Sequence, residues 1–275
     1  MDNSKPTTQR ARDFGLPDYF DMQAAMGHTK HVGGWTSTQE LVQLCHLREG
    51  QELLYVGCGA GTAATKIAVE YECRLVGVDL LETMVESARE WAQRRGVAEW
   101  MEFRVADAQD LPFKDSRFDV LICESVNTFV PDLDRAAQEY VRVIKPGGYV
   151  GLNEAVWVDT PPEAGSEVMT ALTGQKIRTS EEWIAMLDRA GLVNLVDRVY
   201  AVEMKKEARS QLGFLSFWDY MRILGRFFST FLLDPETRKL MRLALSEPRE
   251  MLDYMGYGLY VGQKPANEDL NQEMG

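Results

Sequence analysis

The chain is poor in cysteine and histidine, in basic runs and in long apolar stretches, and each shortage removes a class of function. Its four cysteines, Cys45, Cys58, Cys73 and Cys123, stand far apart, with no Cys-x-x-Cys pair and no Cys/His zinc spacing. They are expected to be buried, reduced thiols in a reducing cytoplasm, and no metal site is expected. No stretch approaches the roughly 20 apolar residues needed to cross a bilayer, and residues 1–12 are polar with no signal-like apolar core. Neither a membrane span nor secretion is expected. No basic run exceeds a pair such as Arg94-Arg95 or Lys205-Lys206, and 30 Lys plus Arg against 42 Asp plus Glu leave a formal charge of −12. Such a surface repels polyanions, which disfavours nucleic acid as a partner.

What is present is ordinary globular material: 275 residues, 45% apolar and 26% charged, enough for one large α/β core with added segments. Short apolar runs at 52–56, 74–78, 101–105, 118–123 and 148–153 alternate with helical patterns at 62–70, 81–95 and 132–144. With strand-like runs at 192–204 and 257–263, this predicts a doubly wound, mostly parallel seven-stranded α/β sheet of Rossmann-like type. Ser37-x-x-Glu40 and Thr179-x-x-Glu182 read as capping boxes that open further helices. The expected division is an N-terminal segment at 1–36, a core at 37–204, a helical cap at 205–256, the last strand at 257–264 and a flexible tail at 265–275. The cap holds Phe214, Phe217, Trp218, Tyr220, Phe227, Phe228 and Phe231, too many aromatics for one exposed helix. They are expected to close over a substrate or to bury a subunit contact, as in a homodimer.

The chemistry gathers at predicted strand ends. The first strand runs straight into Gly57-Cys58-Gly59-Ala60-Gly61, a turn that must bend sharply and approach a ligand closely. A dinucleotide fingerprint wants its third glycine at position 62, where Thr62 stands, so no pyrophosphate cradle is implied and an NAD-dependent oxidoreductase is disfavoured. Asp79, followed by Leu80, ends the second strand, where a carboxylate accepts from both hydroxyls of a ribose; the plainer reading is a helix cap. Asp107 and Ala108 follow the third strand, and an acceptor there suits an adenine amino group. Glu124 follows the fourth strand, and Lys145-Pro146-Gly147-Gly148 reads as a turn into the fifth.

These features, in this order, resemble the class I S-adenosylmethionine-dependent methyltransferases, in particular the small-molecule branch that includes ubiquinone/menaquinone and sterol methyltransferases. The resemblance implies a cytoplasmic enzyme that uses S-adenosyl-L-methionine to methylate a small molecule by in-line displacement. It implies that Gly57, Cys58, Gly59 and Gly61 hold the methionyl part of the cofactor, that Asp79 and Leu80 meet its ribose, that Asp107 and Ala108 meet its adenine, and that Glu124 lines the reaction site. Where that family usually has an acidic residue two positions before the first glycine, this chain has Tyr55. Either another carboxylate or the Tyr hydroxyl then takes its part. A base is needed only when the acceptor carries a proton; the candidates are His31, Glu124 and Glu154. Tyr19, His28, Trp35, Trp218 and Tyr260 are the candidate substrate-pocket residues. The alternative function is a non-catalytic cofactor-binding or assembly protein on the same fold.

Overall fold

In this computed structural model, residues 31–161, 170, 175–201 and 253–266 are described. Expectations for Tyr19, His28, Trp218 and the aromatic cap lie outside them. The chain opens with helix α1 (Gly34–Leu44), then alternates β1 (Glu52–Val56), α2 (Thr62–Glu70), β2 (Arg74–Asp79), α3 (Glu82–Arg95), β3 (Met101–Val105), β4 (Phe118–Glu124), α4 (Leu133–Val143), β5 (Ile144–Trp157), α5 (Ser180–Arg189), β6 (Val193–Ala201) and β7 (Met255–Gln263). The seven strands form one sheet in the order β3-β2-β1-β4-β5-β7-β6. The first five pair in parallel, and β7 lies antiparallel between β5 and β6. The winding reverses direction between β1 and β4, so the connections leaving these two strands part and open a crevice at their carboxyl ends.

Alternation along the strands divides the core. Leu54, Val56, Val76, Val78, Leu121 and Cys123 face one side, where Ala136 and Tyr140 of α4 and Trp183 of α5 cover them. Leu53, Tyr55, Leu75, Val120 and Ile122 face the other, against Leu41 of α1, Ile67 of α2 and Ala88 of α3. A parallel sheet covered on both faces reads as nearly continuous apolar runs, which is why β1, β2 and β4 were legible.

Two expectations fail locally. Ser37 does not cap α1. The helix starts earlier, with Gly33 as N-cap at φ 83, and Ser37 lies in the first turn, its hydroxyl donating to Gly34 O at 2.8 Å. A left-handed residue at that point turns the chain before the box can form. Glu40 is drawn instead to β6, where Tyr200 donates to it at 2.7 Å. Nor does Lys145-Pro146-Gly147-Gly148 precede the fifth strand; it lies within it. Ile144 pairs with Phe118 and Tyr149 with Val120, so the turn stands as an irregularity inside β5. The second capping box is as expected: Thr179 accepts from Glu182 N, and Glu182 accepts from Thr179 N.

Candidate active site

The crevice between β1 and β4 holds the cleft. The empty space in it, open solvent included, is about 1030 Å³. The glycine turn forms its floor. Gly57 has φ 71, and a Cβ added there would lie 2.1 Å from Val126 Cγ2, so the approach of turn and facing loop requires a bare backbone. The N–H groups of Gly57 and Cys58 both point back to Val78 O, at 2.8 and 2.9 Å, locking the turn onto β2.

Asp79, the last residue of β2, reaches across this turn. Its Oδ2 accepts from Gly59 N at 2.9 Å and its Oδ1 from Leu81 N at 3.0 Å. Burial pushes its carboxyl above the ordinary range, opposed by the N–H groups of Leu81, Gly59 and Leu80. Asp79 and Leu80 line the cleft. Asp79 is not the cap of α3; that position is Leu81, without a side-chain cap. Asp107 and Ala108 line the same wall. Gln109, absent from the sequence-based candidates, donates to Asp107 Oδ1 at 3.0 Å through its side chain and accepts from Asp132 N at 3.1 Å. It aligns Asp107 and ties the wall to α4, and a buried amide two residues from an acidic tip was its only signal.

At the other side of the turn, side chains remote in sequence converge on Glu124, whose side chain is fully buried. Tyr55 pairs with Ile122 in register, which puts its side chain on the same face as Glu124, a diagonal neighbour. Its hydroxyl donates to Glu124 Oε2 at 2.6 Å. Burial, and then the nearby Glu124 charge, push the Tyr55 phenol well up, so it stays protonated and donates. Thr38 donates to Glu124 Oε1 at 3.0 Å, and Asn153, its partner in register on β5, donates to Oε1 at 3.1 Å. His31 Nε2 lies 2.8 Å from Thr38 Oγ1 and 3.1 Å from Gly34 O. With the Thr38 proton directed at Glu124, Nε2 carries the hydrogen and donates. Ser125, in left-handed conformation at φ 57, lines the cleft and accepts from Val32 N at 3.3 Å. Thr38, Ser125 and Asn153 gave no signal in the sequence.

Of the expected residues, the structure brings Gly57, Cys58, Gly59, Asp79, Leu80, Asp107, Ala108, Glu124 and His31 to one cleft. Gly61, at φ 78, stands behind the turn as N-cap of α2, where a Cβ would meet Ala88 Cα at 2.9 Å. Burial raises the Cys58 thiol well above its ordinary range, so it is no nucleophile.

Three expectations are corrected. Glu154 is fully buried but off the cleft wall; its Oε1 accepts from Val126 N at 3.1 Å and from Asn127 N and Nδ2 at 2.9 Å. Neighbours on a strand point to opposite faces, so with Asn153 directed at Glu124, Glu154 is turned to the back of the loop. Trp35 packs in the core beneath Lys66, whose ammonium lies 4.1 Å from its ring centroid. Tyr260 is enclosed in the opposite core, 6.1 Å from the Trp183 ring.

A family model described as a methyltransferase domain matches residues 54–152, the stretch from the glycine turn through β5. Methyltransferase GfsG of Streptomyces halstedii is 25% identical over 213 residues, 69% of this chain and 77% of that protein. The chain spans 32% and 58% of two other curated relatives. Among solved structures, the [4+2]-cyclase SpnF superposes with TM-score 0.72 at 22% identity, covering 96% of this chain and 98% of that one. Phosphoethanolamine N-methyltransferase 2 of Haemonchus contortus, in complex with phosphomonomethylethanolamine and S-adenosylhomocysteine, gives TM-score 0.72 at 18% identity, over 96% of this chain and 61% of that one. At those identities the two structures speak for the fold, and the domain match speaks for the glycine turn and the strand tips around it. Residues 54–152 thus match a methyltransferase domain, and the chain shares its fold with these two structures.

Proposed function

We propose that the cleft binds S-adenosylmethionine with its adenosyl part over β2 and β3 and its methionyl part over β1 and β4, and that a small acceptor meets the methyl group beside His31. The observation that carries this reading is Asp79, a carboxylate that lines the cleft and is tied to the glycine turn by Gly59 N–H; a carboxylate has about four lone-pair sites, more than its backbone donors use. Ribose hydroxyls suit those lone pairs, and an adenine amino group suits Asp107. Gly57, Cys58 and Gly59 pass beneath the methionyl part, and Gly61 keeps α2 close behind. The cofactor supplies a sulfonium methyl already activated for displacement, so the protein mainly aligns the acceptor and excludes water. For an acceptor that carries a proton, the candidate bases on the cleft wall are His31 and Glu124.

In this reading the core spans 37–204 and 257–264, 1–36 lies over the cofactor site and 205–256 is a helical cap. With a net charge of −12, the acceptor is a small molecule rather than a polyanion. The aromatic cap is the expected contact of a homodimer, which light scattering tests directly. The free, buried cysteines suit a reducing cytoplasm.

Calorimetry with S-adenosylhomocysteine tests the cradle. Replacing Asp79 with Asn should weaken binding by about 1–3 kcal/mol through loss of charge-assisted hydrogen bonds. Wild-type affinity in that variant rejects the ribose assignment. Binding by the wild type with no methyl transfer across a broad acceptor panel would favour the non-catalytic alternative.

A further inference from the structure

The Glu124 carboxylate poses an electrostatic problem that the described residues leave open. Its side chain is fully buried, and its hydrogen-bond donors among the described residues are the neutral Tyr55, Thr38 and Asn153 side chains. No described lysine or arginine forms an ion pair with it; His31 Nε2, at 3.6 Å, is the nearest potential cation. A charge held in a low-dielectric cleft is costly without a counter-charge, and three aligned donors fix its position without cancelling it. Glu124 is also among the residues that line the cleft.

We infer that Glu124 is the anionic partner of the cofactor's α-ammonium group, with Tyr55, Thr38 and Asn153 as positioning residues. This rests on the proposed placement of the cofactor. The strand order puts Asp107 and Asp79 on one side of the glycine turn and Glu124 on the other, so the nucleoside end at the aspartates leaves the amino-acid end at Glu124. S-Adenosylmethionine carries two cations. The sulfonium must stay open toward the acceptor, whereas the ammonium offers three N–H donors to an acceptor-only group. Tyr55 spans from β1 to hold the carboxylate of β4, so the negative charge is delivered from the neighbouring strand rather than from the strand that carries the glycine turn.

The test is a binding cycle on the full chain with S-adenosylhomocysteine and its deamino analogue, in which hydrogen replaces the ammonium. Both ligands lack the sulfonium, so the readout is independent of turnover. The wild type should prefer the amino compound by about 10- to 100-fold. In Glu124→Gln, which keeps the shape and loses the charge, that preference should fall to about threefold or less. If the Gln variant fails to fold by circular dichroism, Glu124→Asp is read the same way, since its retracted carboxylate should also lose most of the preference. A wild type that binds both ligands equally, or a variant that keeps the full preference, overturns the assignment. A wild type that binds neither compound overturns the methyltransferase cradle itself, which separates the two failures.

Discussion

Glu154 shows at the residue scale how a buried charge serves the cleft without touching it. One oxygen holds the loop at Val126 and Asn127, while Oε2 meets no donor among the described residues. Burial is the main cause that pushes this carboxyl from 4.5 to about 7. Between those values the folded protein keeps a proton that the unfolded chain releases. Stability therefore falls as pH rises through that window and is level above it. Glu154→Gln mimics the protonated form and keeps an oxygen for the loop. It should remove a loss on the order of 2–3 kcal/mol between about pH 5 and about pH 8. Chemical unfolding at both pH values checks this, and an equally steep decline in the variant would refute it. Glu154 was legible as a carboxylate at a strand end, but the sequence did not show which face of β5 would meet the ligand. That depends on the register with β4, which turns Asn153 to Glu124 and Glu154 to the loop.

At the scale of elements, two Ser/Thr-x-x-Glu patterns met different fates. Thr179 caps α5 reciprocally with Glu182, because the preceding chain arrives extended, at ψ 166. Thr179→Ala should cost about 1 kcal/mol of stability, read as a lowered denaturant midpoint with an unchanged slope. A full-strength variant would mean that water caps this exposed end equally well. Ser37 bears the same local pattern, yet Gly33 starts α1 first, and the Ser37 hydroxyl also accepts from Asn153 at 3.1 Å. Local pattern sufficed where nothing tertiary competed for the side chain. The same holds for strands: β1 and β3 ended where their apolar runs ended, but β5 ran beyond its predicted span because Ile144 pairs with Phe118 of β4 before the Lys145–Gly148 turn and β7 pairs as far as Trp157.

For the whole molecule, the cleft joins parts from both sides of the reversal in winding, so occupancy should couple to global stability. A ligand that binds only the folded state stabilises it by about 2.7 kcal/mol at 100-fold excess over Kd. S-Adenosylhomocysteine should therefore raise the thermal midpoint of the wild type, and raise it less in Asp79→Asn. An unchanged midpoint at saturation by calorimetry would show that the ligand binds the unfolded chain as well.

The sequence by itself determined the glycine turn, the acidic tips at Asp79 and Asp107 and the alternation of strands and helices. Each is set by a few adjacent residues: bare backbone for a tight bend, and apolar period for strand or helix. Only the tertiary structure decided what surrounds Glu124. Tyr55 and Thr38 stand 69 and 86 residues from it in the chain, and their meeting depends on parallel register between β1 and β4 and on the docking of α1 over β5 and β7. No local pattern encodes contacts of that separation, because they exist only once the sheet has fixed which face each side chain takes.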